Sequence, residues 1–276
     1  MRFSITVIVA MLFFSCAHFK KFPKEKHYEF LYYFRDTYKQ DTLAFYLTNP
    51  LMCPIRVQVA KNTSNLQLSL LFPDITLKEK QDTVVKLYLP DLDDSKKINY
   101  VVRYGDVQQR INKYPVALPF PKGKTYQVIQ GYEGKFSHNT MYSKYALDFN
   151  LQIGDTITSV DDGYVVGLIE DYKLHGTGKK WLENDKSNYI TVYHPKSGLF
   201  SQYVHLNHKG ALVVLGEFVT KGQPVGICGM TGFTTTPHLH FTMKYPTSTY
   251  GLIGTEIDFN NGIKGIDLKP KDVIQN

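Results

Sequence analysis

The sequence predicts a mainly β protein built in two parts. Three observations carry this prediction. Tyr and Phe are abundant, with 20 and 17 copies among 276 residues. Short runs in which apolar and polar residues alternate recur along the chain, and polar turns containing Gly, Pro, Asn or Asp separate them. Aromatic and β-branched side chains favour strands because they pack well on a pleated surface.

The N-terminus resembles an export signal. Arg2 is followed by an apolar run, Phe3 to Phe14, that is too short to span a membrane as a mature helix. A small residue then precedes Cys16, as in the bacterial lipobox, in which that cysteine is lipidated and becomes the mature N-terminus. We predict a lipoprotein-type signal peptide over residues 1–16 and a lipid anchor on Cys16 that tethers the protein to a bacterial membrane. Cleavage near Ala17, giving a periplasmic or secreted protein, is the alternative.

Residues 25–112 are predicted to form an accessory β-sandwich of the immunoglobulin-like kind. Ile55, Val57 and Val59 share one face of a short strand. The same alternation occurs in two further sets: Leu66, Leu68 and Leu70, and Val85, Leu87 and Leu89. No cluster of His, Asp, Glu or Ser stands out in this region. A spacer or accessory role is therefore favoured over a substrate-binding or autoinhibitory one.

A stretch with three prolines, residues 113–123, predicts an extended, semi-rigid linker. The second domain is predicted over residues 124–250, and residues 251–276 form a tail that we expect to pack on the outside. Because every candidate site residue lies beyond the linker, we expect the fragment from about Pro119 onwards to fold and work without the sandwich.

Two cysteines lie beyond the signal region. Cys53 and Cys228 fall in different predicted domains, and neither has a metal-binding spacing such as C-x-x-C. A disulfide is possible in an exported protein, but we expect two separate buried thiols.

The net charge of +7 predicts attraction to anionic surfaces such as acidic lipid or a bacterial wall. Nucleic acid is the weaker option, because no compact cluster of Lys and Arg is interleaved with aromatic residues that could stack on bases. The sequence therefore predicts no nucleic-acid partner.

Candidate metal ligands lie in the second half of the chain. His238 and His240 alternate with apolar neighbours, so both imidazoles point to the same side of a predicted strand. Asp148 stands among large apolar residues, and a buried carboxylate is costly unless it is paired or binds a metal. His138, Asp148 and His240 together offer a two-imidazole, one-carboxylate set suited to catalytic zinc. Taken singly, each histidine could be structural and Asp148 could be salt-bridged.

Five motifs follow one another in this half: Ser137-His138, Tyr145–Phe149, Tyr203–Leu206, Gly229–Gly232 and Pro237–Phe241. In this order they resemble the lysostaphin-type, LytM-like zinc metallopeptidases, which cut peptide bonds in bacterial cell-wall peptidoglycan. The resemblance covers roughly residues 124–244. It implies a peptidase domain rich in antiparallel β-sheet.

The resemblance also implies roles for five residues. His138, Asp148 and His240 match the zinc ligands of the family, and His205 and His238 match its two non-ligand active-site histidines. Those two histidines would orient or deprotonate water and hold the oxyanion. In many members three residues separate the first ligand from the aspartate, whereas nine intervene here.

The implied function is a zinc-dependent endopeptidase that hydrolyses stem peptides or cross-bridges of peptidoglycan in the cell envelope by metal-activated water. A non-catalytic relative that binds the wall or activates a partner amidase is the alternative, and a zinc enzyme acting on a different amide is a third reading. The Gly-rich insertion from His175 to Trp181 is predicted to form a groove wall. We expect His194 to be structural rather than part of the site.

Overall fold

The computed structural model describes residues 22–61, 66–90, 92, 97–184 and 186–276. It is mainly β, with sheets that are almost entirely antiparallel, as the sequence predicts. The predicted signal peptide and Cys16 lie outside the described residues. Within the ranges given, no helix has both the length and the apolar character needed to cross a membrane.

The N-terminal half contains a short helix, α1 (Leu66–Leu71), and two small antiparallel sheets. Its strands are β1 (Arg35–Lys39), β2 (Thr42–Thr48), β3 (Ile55–Val59), β4 (Ile75–Leu77), β5 (Asp82–Tyr88) and β6 (Tyr100–Tyr104). One sheet has the strand order β1-β2-β5 and the other has the order β4-β3-β6. We call these two sheets the N-terminal sandwich; its immunoglobulin-like topology stays a prediction.

The alternation of apolar residues in the sequence explains the core of the sandwich. Ile55, Val57 and Val59 of β3 are all buried, and they share one hydrophobic cluster with Phe45 of β2. The ring of Phe45 meets that of Phe72 edge to face, with centroids 4.7 Å apart. Because neighbouring residues of a strand point to opposite faces, this alternation assigns one face of each strand to the core.

Leu66, Leu68 and Leu70 do not form the predicted strand. Residues 66–71 form α1 instead, and Leu68 is buried whereas Leu70 is exposed. Phe72, four residues after Leu68, lies in the same buried cluster, whereas Leu70 between them is exposed, which fits the period of a helix and not the period of two of a strand. Leucine is a strong helix former, so alternate leucines in so short a run do not distinguish the two structures.

The C-terminal half contains a second short helix, α2 (Lys179–Asn184), a 3₁₀ turn at Gly265–Asp267, and the remaining strands. These strands are β7 (Thr125–Gln130), β8 (Ala146–Phe149), β9 (Thr156–Thr158), β10 (Gly163–Ile169), β11 (His175–Gly176), β12 (Tyr189–His194), β13 (Leu199–Val204), β14 (Leu206–Ala211), β15 (Phe218–Val219), β16 (Pro224–Cys228), β17 (Gly232–Phe233), β18 (Leu239–Thr247), β19 (Gly251–Thr255) and β20 (Val273–Gln275).

One large sheet organises this half. Its strand order is β15-β10-β12-β13-β18-β8-β7-β20, and β19 joins it by pairing with β18. The nine-residue strand β18 therefore pairs with three neighbours, β8, β13 and β19. A smaller antiparallel sheet has the order β14-β16-β9, and β11 pairs with β17 in parallel.

The main hydrophobic core covers one face of the large sheet. Leu239, Phe241 and Met243 of β18 and Tyr203 of β13 point into it and are almost completely buried. The residues between them along β18 point to the opposite face because of the strand period of two. That opposite face carries the candidate site.

The two halves of the protein share a hydrophobic core. Val166, Tyr193 and Phe200 of the large sheet are buried in the same cluster as the apolar residues of the sandwich. The hydroxyl of Tyr104 in β6 donates a hydrogen bond to the carbonyl of Val166 (3.1 Å), and its ring lies 5.7 Å from that of Phe200. This shared core argues against our expectation that the C-terminal half folds without the sandwich.

The predicted linker at residues 113–123 runs against the large sheet. Val116, Leu118 and Phe120 are buried in the core of the C-terminal half. Val116 also accepts and donates backbone hydrogen bonds, with Asn260 and Asp258 as its partners. These contacts arise because apolar residues alternate with the prolines of the stretch. The domain boundaries proposed from the sequence stay a prediction.

The tail at residues 251–276 does not pack on the outside, so that expectation is wrong. Its strand β19 extends the large sheet, and β20 pairs with β7. Phe259 and Ile274 are buried in the main core. The Gly and polar residues of the tail obscure these apolar positions in the sequence.

Cys53 and Cys228 are free, buried thiols, which confirms the sequence-based expectation. Cys53 belongs to the cluster of the sandwich and Cys228 belongs to the main core. Burial raises the pKa of the Cys228 thiol to about 12, so this cysteine is a packing residue rather than a reactive one.

We expect Tyr104→Ala to lower the free energy of unfolding by about 3–5 kcal/mol, the usual cost of truncating a buried aromatic side chain. Tyr104→Phe keeps the ring and removes the hydrogen bond to Val166, so it should cost only about 1 kcal/mol. Urea unfolding followed by tryptophan fluorescence measures both values, since the single Trp181 reports on the C-terminal half.

The fragment from Lys113 onwards keeps Val116 and Leu118 in the main core and removes the sandwich, so it is a second test of the shared core. It leaves Val166, Tyr193 and Phe200 without the sandwich residues that cover them. We expect it to precipitate or to melt well below the full chain in calorimetry. A fragment that melts at the temperature of the full chain would show that the shared core contributes nothing to stability.

Candidate metal centre and active-site groove

Strand pairing places two of the candidate ligands side by side. In the antiparallel pair of β8 and β18, Asp148 is the register partner of His240. Both side chains project from the face of the sheet opposite the main core, because their neighbours Leu147 and Phe241 point into it. Directly opposed residues have Cβ atoms about 4.5–5.5 Å apart, so the strand pairing itself brings the Asp148 carboxylate close to the His240 imidazole.

His138 reaches the same point from the loop between β7 and β8. Its backbone N–H donates to the carbonyl of Gly134 (2.9 Å). Its side chain is fully buried, and Nδ1 lies 2.8 Å from the carbonyl oxygen of Gly131. Because a carbonyl only accepts, Nδ1 carries the proton and Nε2 presents a lone pair. The nine intervening residues therefore do not prevent His138 from joining Asp148.

Three potential ligand atoms converge at this point. His138 Nε2 lies 3.1 Å from Asp148 Oδ1 and 3.2 Å from His240 Nδ1, and His240 Nδ1 lies 2.9 Å from Asp148 Oδ1. Among the described residues these three side chains form a group whose geometry can hold a metal ion. Zn²⁺ binds N and O ligands at about 2.0–2.2 Å in a tetrahedron, whose edges would measure roughly 3.3–3.6 Å. The observed separations are only slightly shorter.

The chemistry of the donor set also fits a cation. The lone pair of His138 Nε2 and the anionic Oδ1 of Asp148 are both acceptors, yet they face each other inside the protein. Two acceptors at this distance need either a proton or a positive ion between them. A two-imidazole, one-carboxylate set is one of the ligand sets of catalytic zinc. The residues present therefore fit Zn²⁺.

Neighbouring side chains hold the ligands in place. Gln130 Nε2 at the end of β7 donates to Asp148 Oδ2 (3.0 Å), the oxygen that faces away from the two imidazoles. Thr242 Oγ1 lies 3.3 Å from His240 Nε2, where it can accept a hydrogen bond from the ring N–H when Nδ1 serves as ligand. Neither residue was predicted from the sequence as part of the site. The place of Thr242, two residues after His240 on the same strand face, is the one signal that pointed to it.

His205 and His238 stand beside this group and do not enter it. Their ring centroids are 4.6 Å apart, and His238 Nε2 lies 3.8 Å from Asp148 Oδ1. His205 Nδ1 donates to the carbonyl of Thr231 (2.7 Å), and His238 Nδ1 donates to that of Thr236 (2.9 Å). In both rings Nε2 is then the nitrogen with the lone pair. The structure thus brings all five sequence-predicted site residues together.

The backbone of His205 is strained. It has φ of +66°, in the left-handed region that residues other than Gly rarely adopt. The residue lies between β13 and β14, where its carbonyl accepts a hydrogen bond from the N–H of Gly229 (3.0 Å). Strained residues of this kind cluster at functional sites, where the surrounding structure over-determines them.

The electrostatics of the group keep Asp148 ionised beside His205 and His240, which are neutral imidazoles. Burial alone would raise the pKa of Asp148, but His238, His240 and His138 outweigh it and hold that pKa well below its ordinary range. Burial lowers the pKa of His205 strongly, and the pKa of His240 falls for the same reason. At neutral pH His205 and His240 are therefore neutral, the form that can bind a metal or accept a proton.

His138 behaves differently from its neighbours. Burial opposes its protonation, but the contact with Asp148 raises its pKa above the ordinary value. Without a metal, a shared proton thus satisfies the two facing acceptors. Metal binding would displace that proton, so uptake of the ion should release a proton.

These residues lie on the floor of a groove of about 570 Å³. One wall includes Trp181 and Leu182 of α2, so of the stretch predicted to form a wall, residues 175–181, only its last residue lines the groove. Phe136 and Phe233 also line the groove, and their rings stack with centroids 5.2 Å apart. All the lining residues come from the C-terminal half, so among the described residues the sandwich does not fill the groove.

His194 lies on the other face of the sheet, as expected of a structural histidine. It is fully buried. Nδ1 donates to the carbonyl of Asp162 (2.9 Å), and Nε2 accepts a hydrogen bond from Ser201 Oγ (2.8 Å). Burial lowers its pKa below the ordinary value of about 6.5.

The comparison with protein families identifies this half of the chain. Residues 142–251 match the family model described as Peptidase family M23. This chain contains an M23 peptidase domain. Asp148, His205, His238 and His240 lie inside the matched range, and His138 lies four residues before it. The predicted resemblance to lysostaphin-type peptidases is thereby confirmed.

Similar proteins share this domain with the chain. An uncharacterized metalloprotease of Buchnera aphidicola is 30% identical over 134 residues, 48% of this chain and 32% of that protein. The peptidoglycan DD-endopeptidase ShyB of Vibrio cholerae is 30% identical over 140 residues, covering 50% and 28%. Glycyl-glycine endopeptidase ALE-1 of Staphylococcus capitis is 30% identical over 138 residues, covering 44% and 34%. The chain thus spans about a third of the length of these relatives.

Solved M23 structures give a weaker likeness. The catalytic domain of lysostaphin from Staphylococcus simulans is 23% identical and covers 48% of this chain and 87% of its own, with a TM-score of 0.34. A zinc containing peptidase from Vibrio cholerae is 18% identical and covers 74% and 75%, with a TM-score of 0.35.

The burial of neutral His194 predicts a loss of stability in acid. An unfolded histidine takes up a proton as the pH falls through about 6.5, whereas folded His194 takes it up only at lower pH. The contribution of neutral His194 to the free energy of unfolding is therefore complete above about pH 6.5. It is lost as the pH falls towards the pKa of folded His194. We expect His194→Gln to be less stable at pH 7.5 but to lose less melting temperature between pH 7.5 and 5.5.

The control is His208→Gln, which changes a histidine outside the core and should keep the wild-type pH dependence. Differential scanning fluorimetry at both pH values measures six melting temperatures, two for each of the three proteins. Equal acid sensitivity in His194→Gln and the wild type would contradict the assignment of a neutral, buried imidazole.

Proposed function

We propose that this chain is a zinc-dependent endopeptidase that hydrolyses peptide bonds in bacterial peptidoglycan. The observation that carries the proposal is the convergence of His138 Nε2, Asp148 Oδ1 and His240 Nδ1 within 3.2 Å of one another on the floor of a groove. The groove above these three residues is open, and an open groove suits an extended polymer substrate. The M23 peptidase domain supplies the reaction class.

The names of the relatives support peptidoglycan as the substrate. One is a peptidoglycan DD-endopeptidase and another is a glycyl-glycine endopeptidase. Both work on a peptide bond, and the first works on peptidoglycan by name. Because their bonds differ, they support the substrate class for this chain and not one particular bond. The net charge of +7 adds to this, since the bacterial wall is an anionic surface.

His138, Asp148 and His240 are proposed to hold the zinc ion. When bound there, Zn²⁺ supplies a Lewis acid that polarises a carbonyl and acidifies water. The hydrogen bonds from His138 to Gly131 O and from Gln130 to Asp148 Oδ2 fix the ligand orientations in advance. Such supporting partners typically matter about 10–100-fold for metal affinity or activity.

His205 and His238 are proposed to act on the reacting groups. Their Nδ1 atoms are committed to backbone carbonyls, so Nε2 of each ring is the atom available for chemistry. A neutral ring can accept the proton of the attacking water, and a protonated ring can donate a hydrogen bond to the developing oxyanion. Burial keeps His205 neutral at pH 7, which suits a proton acceptor.

The cell envelope is the proposed location, since that is where peptidoglycan lies. A lipid anchor on Cys16 would hold the enzyme at a membrane beside the wall. The export signal over residues 1–16 and the accessory role of residues 25–112 belong to the same proposal. They rest on the sequence pattern given above.

The roles of the two histidines on β18 are separable. We expect His240→Ala to lose most of its zinc and, because metal binding is linked to folding, to melt at a lower temperature. His238→Ala should stay folded with near-normal zinc, but turn over about 10²–10⁴-fold more slowly. Elemental analysis, thermal melts and peptidoglycan digestion on both variants measure these differences. Loss of zinc in His238→Ala with retention in His240→Ala would mean that the roles are reversed.

Digestion of purified peptidoglycan tests the function itself. The zinc-loaded full chain should release fragments with new peptide termini in mass spectrometry, a chelator should abolish the release, and added Zn²⁺ should restore it. Asp148→Ala is the matched inactive control. Intact peptidoglycan with wild-type protein would contradict the proposal and favour a non-catalytic wall-binding protein. Release of whole stem peptides from the sugar would point to a different amide.

A further inference from the structure

One face of β18 carries a line of polar residues away from the metal centre. His240, Thr242 and Lys244 alternate with Phe241 and Met243, which are buried in the main core. All three polar residues therefore project to the groove side. His240 and Lys244 both line the groove. The strand thus runs along the groove floor from the candidate ligand to a lysine.

The neighbouring strand fixes the lysine in this position. Lys244 Nζ donates to Gln202 Oε1 of β13 (2.6 Å), and Gln202 Nε2 donates to Thr191 Oγ1 of β12 (3.3 Å). Gln202 is the register partner of Thr242 and also lines the groove. This chain of hydrogen bonds holds the ammonium over the floor rather than in bulk solvent.

The groove ends just beyond Lys244. The next residue on this face, Pro246, is covered by Gly105 of the N-terminal half so closely that a Cβ atom on Gly105 would lie 2.6 Å from it. Phe200, the register partner of Lys244, lies in the core shared with the sandwich. The sandwich therefore limits the groove on this side, with the lysine as the last polar group before it.

The charge of this lysine is distinctive within the groove. Of the described residues that line it, Lys244 is the single one with a fixed positive charge and Asp148 is the single carboxylate. Asp148 is committed to three imidazoles. A negatively charged group of a substrate in this groove would therefore be attracted to Lys244.

We propose that Lys244 is a specificity-determining residue that binds a carboxylate of the peptide substrate, a few residues to one side of the cleaved bond. The inference rests on the proposed function and adds the class of substrate: carboxylate-bearing peptides. Lys244 lies four residues after His240, about 13 Å along the strand. An extended peptide lying along β18 covers that distance in about four residues.

Two kinds of carboxylate have this chemistry, the C-terminus of a peptide and an acidic side chain. The test uses the peptide that digestion of peptidoglycan identifies as the substrate, synthesised with free carboxylates and again with each carboxylate singly converted to the carboxamide. For the wild type, we expect amidation of one of them to lower kcat/KM about tenfold, the usual size of a charged hydrogen bond at a partly exposed site. The amidated peptide with the lower kcat/KM identifies the carboxylate, C-terminal or side-chain, that Lys244 binds.

Substitutions at position 244 then test whether Lys244 causes the preference for the free carboxylate. Lys244→Gln should cleave the acid and the amide at nearly the same rate, Lys244→Glu should prefer the amide, and Lys244→Arg should keep the preference for the acid. Lys122→Gln is the control of equal charge change, since Lys122 lies before the start of β7, and only the far end of that strand, about 17 Å away at Gln130, lines the groove. It should keep the wild-type preference.

Binding provides a second readout that does not depend on turnover. Titration calorimetry with the slow His238→Ala variant should show weaker binding of the critical amide than of the acid, and the double variant with Lys244→Gln should not distinguish them. A wild type that cleaves acid and amides equally, or a Lys244→Gln variant that keeps the preference, would overturn the inference while the proposed function stands. A wild type that cleaves no peptidoglycan peptide would overturn the proposed function, and the inference with it.

Discussion

The antiparallel pairing of β8 with β18 is the constraint on which the site depends. It sets Asp148 opposite His240, and the apolar residues on either side of them are buried in the main core. A shift of the pairing by one residue would turn the carboxylate and the imidazole towards that core and the large apolar side chains towards the groove. Burial of these apolar residues thus fixes the strand register and, with it, the positions of the candidate ligands.

The groove also depends on contacts between the N-terminal and C-terminal halves of the chain. The sandwich covers Val166, Tyr193 and Phe200 on the same face of the sheet that carries the groove. Its contact with Pro246 ends the groove on the side of Lys244. Removing the sandwich would therefore expose part of the sheet that forms the groove floor.

Several features of the fold misled the sequence analysis for one common reason. Alternating leucines predicted a strand where α1 forms, and a polar tail concealed the buried Phe259 and Ile274. Local pattern shows which residues are apolar, but it does not show which distant surface will cover them. For runs of five to ten residues, tertiary packing decides between helix, strand and linker.

The sequence by itself predicted the β class, the two free cysteines beyond the signal region and the five candidate site residues, because a metal site and the histidines beside it need particular residue types in a particular order. Tertiary structure alone decided how His138 reaches Asp148 across nine intervening residues, and it alone placed Gln130, Gly131 and Gln202 beside the residues that they contact. Those contacts join residues seven to 42 positions apart in the chain, through backbone carbonyls and common amide side chains. Such groups leave no signature in a sequence, since every protein contains them and only the fold brings them to a site.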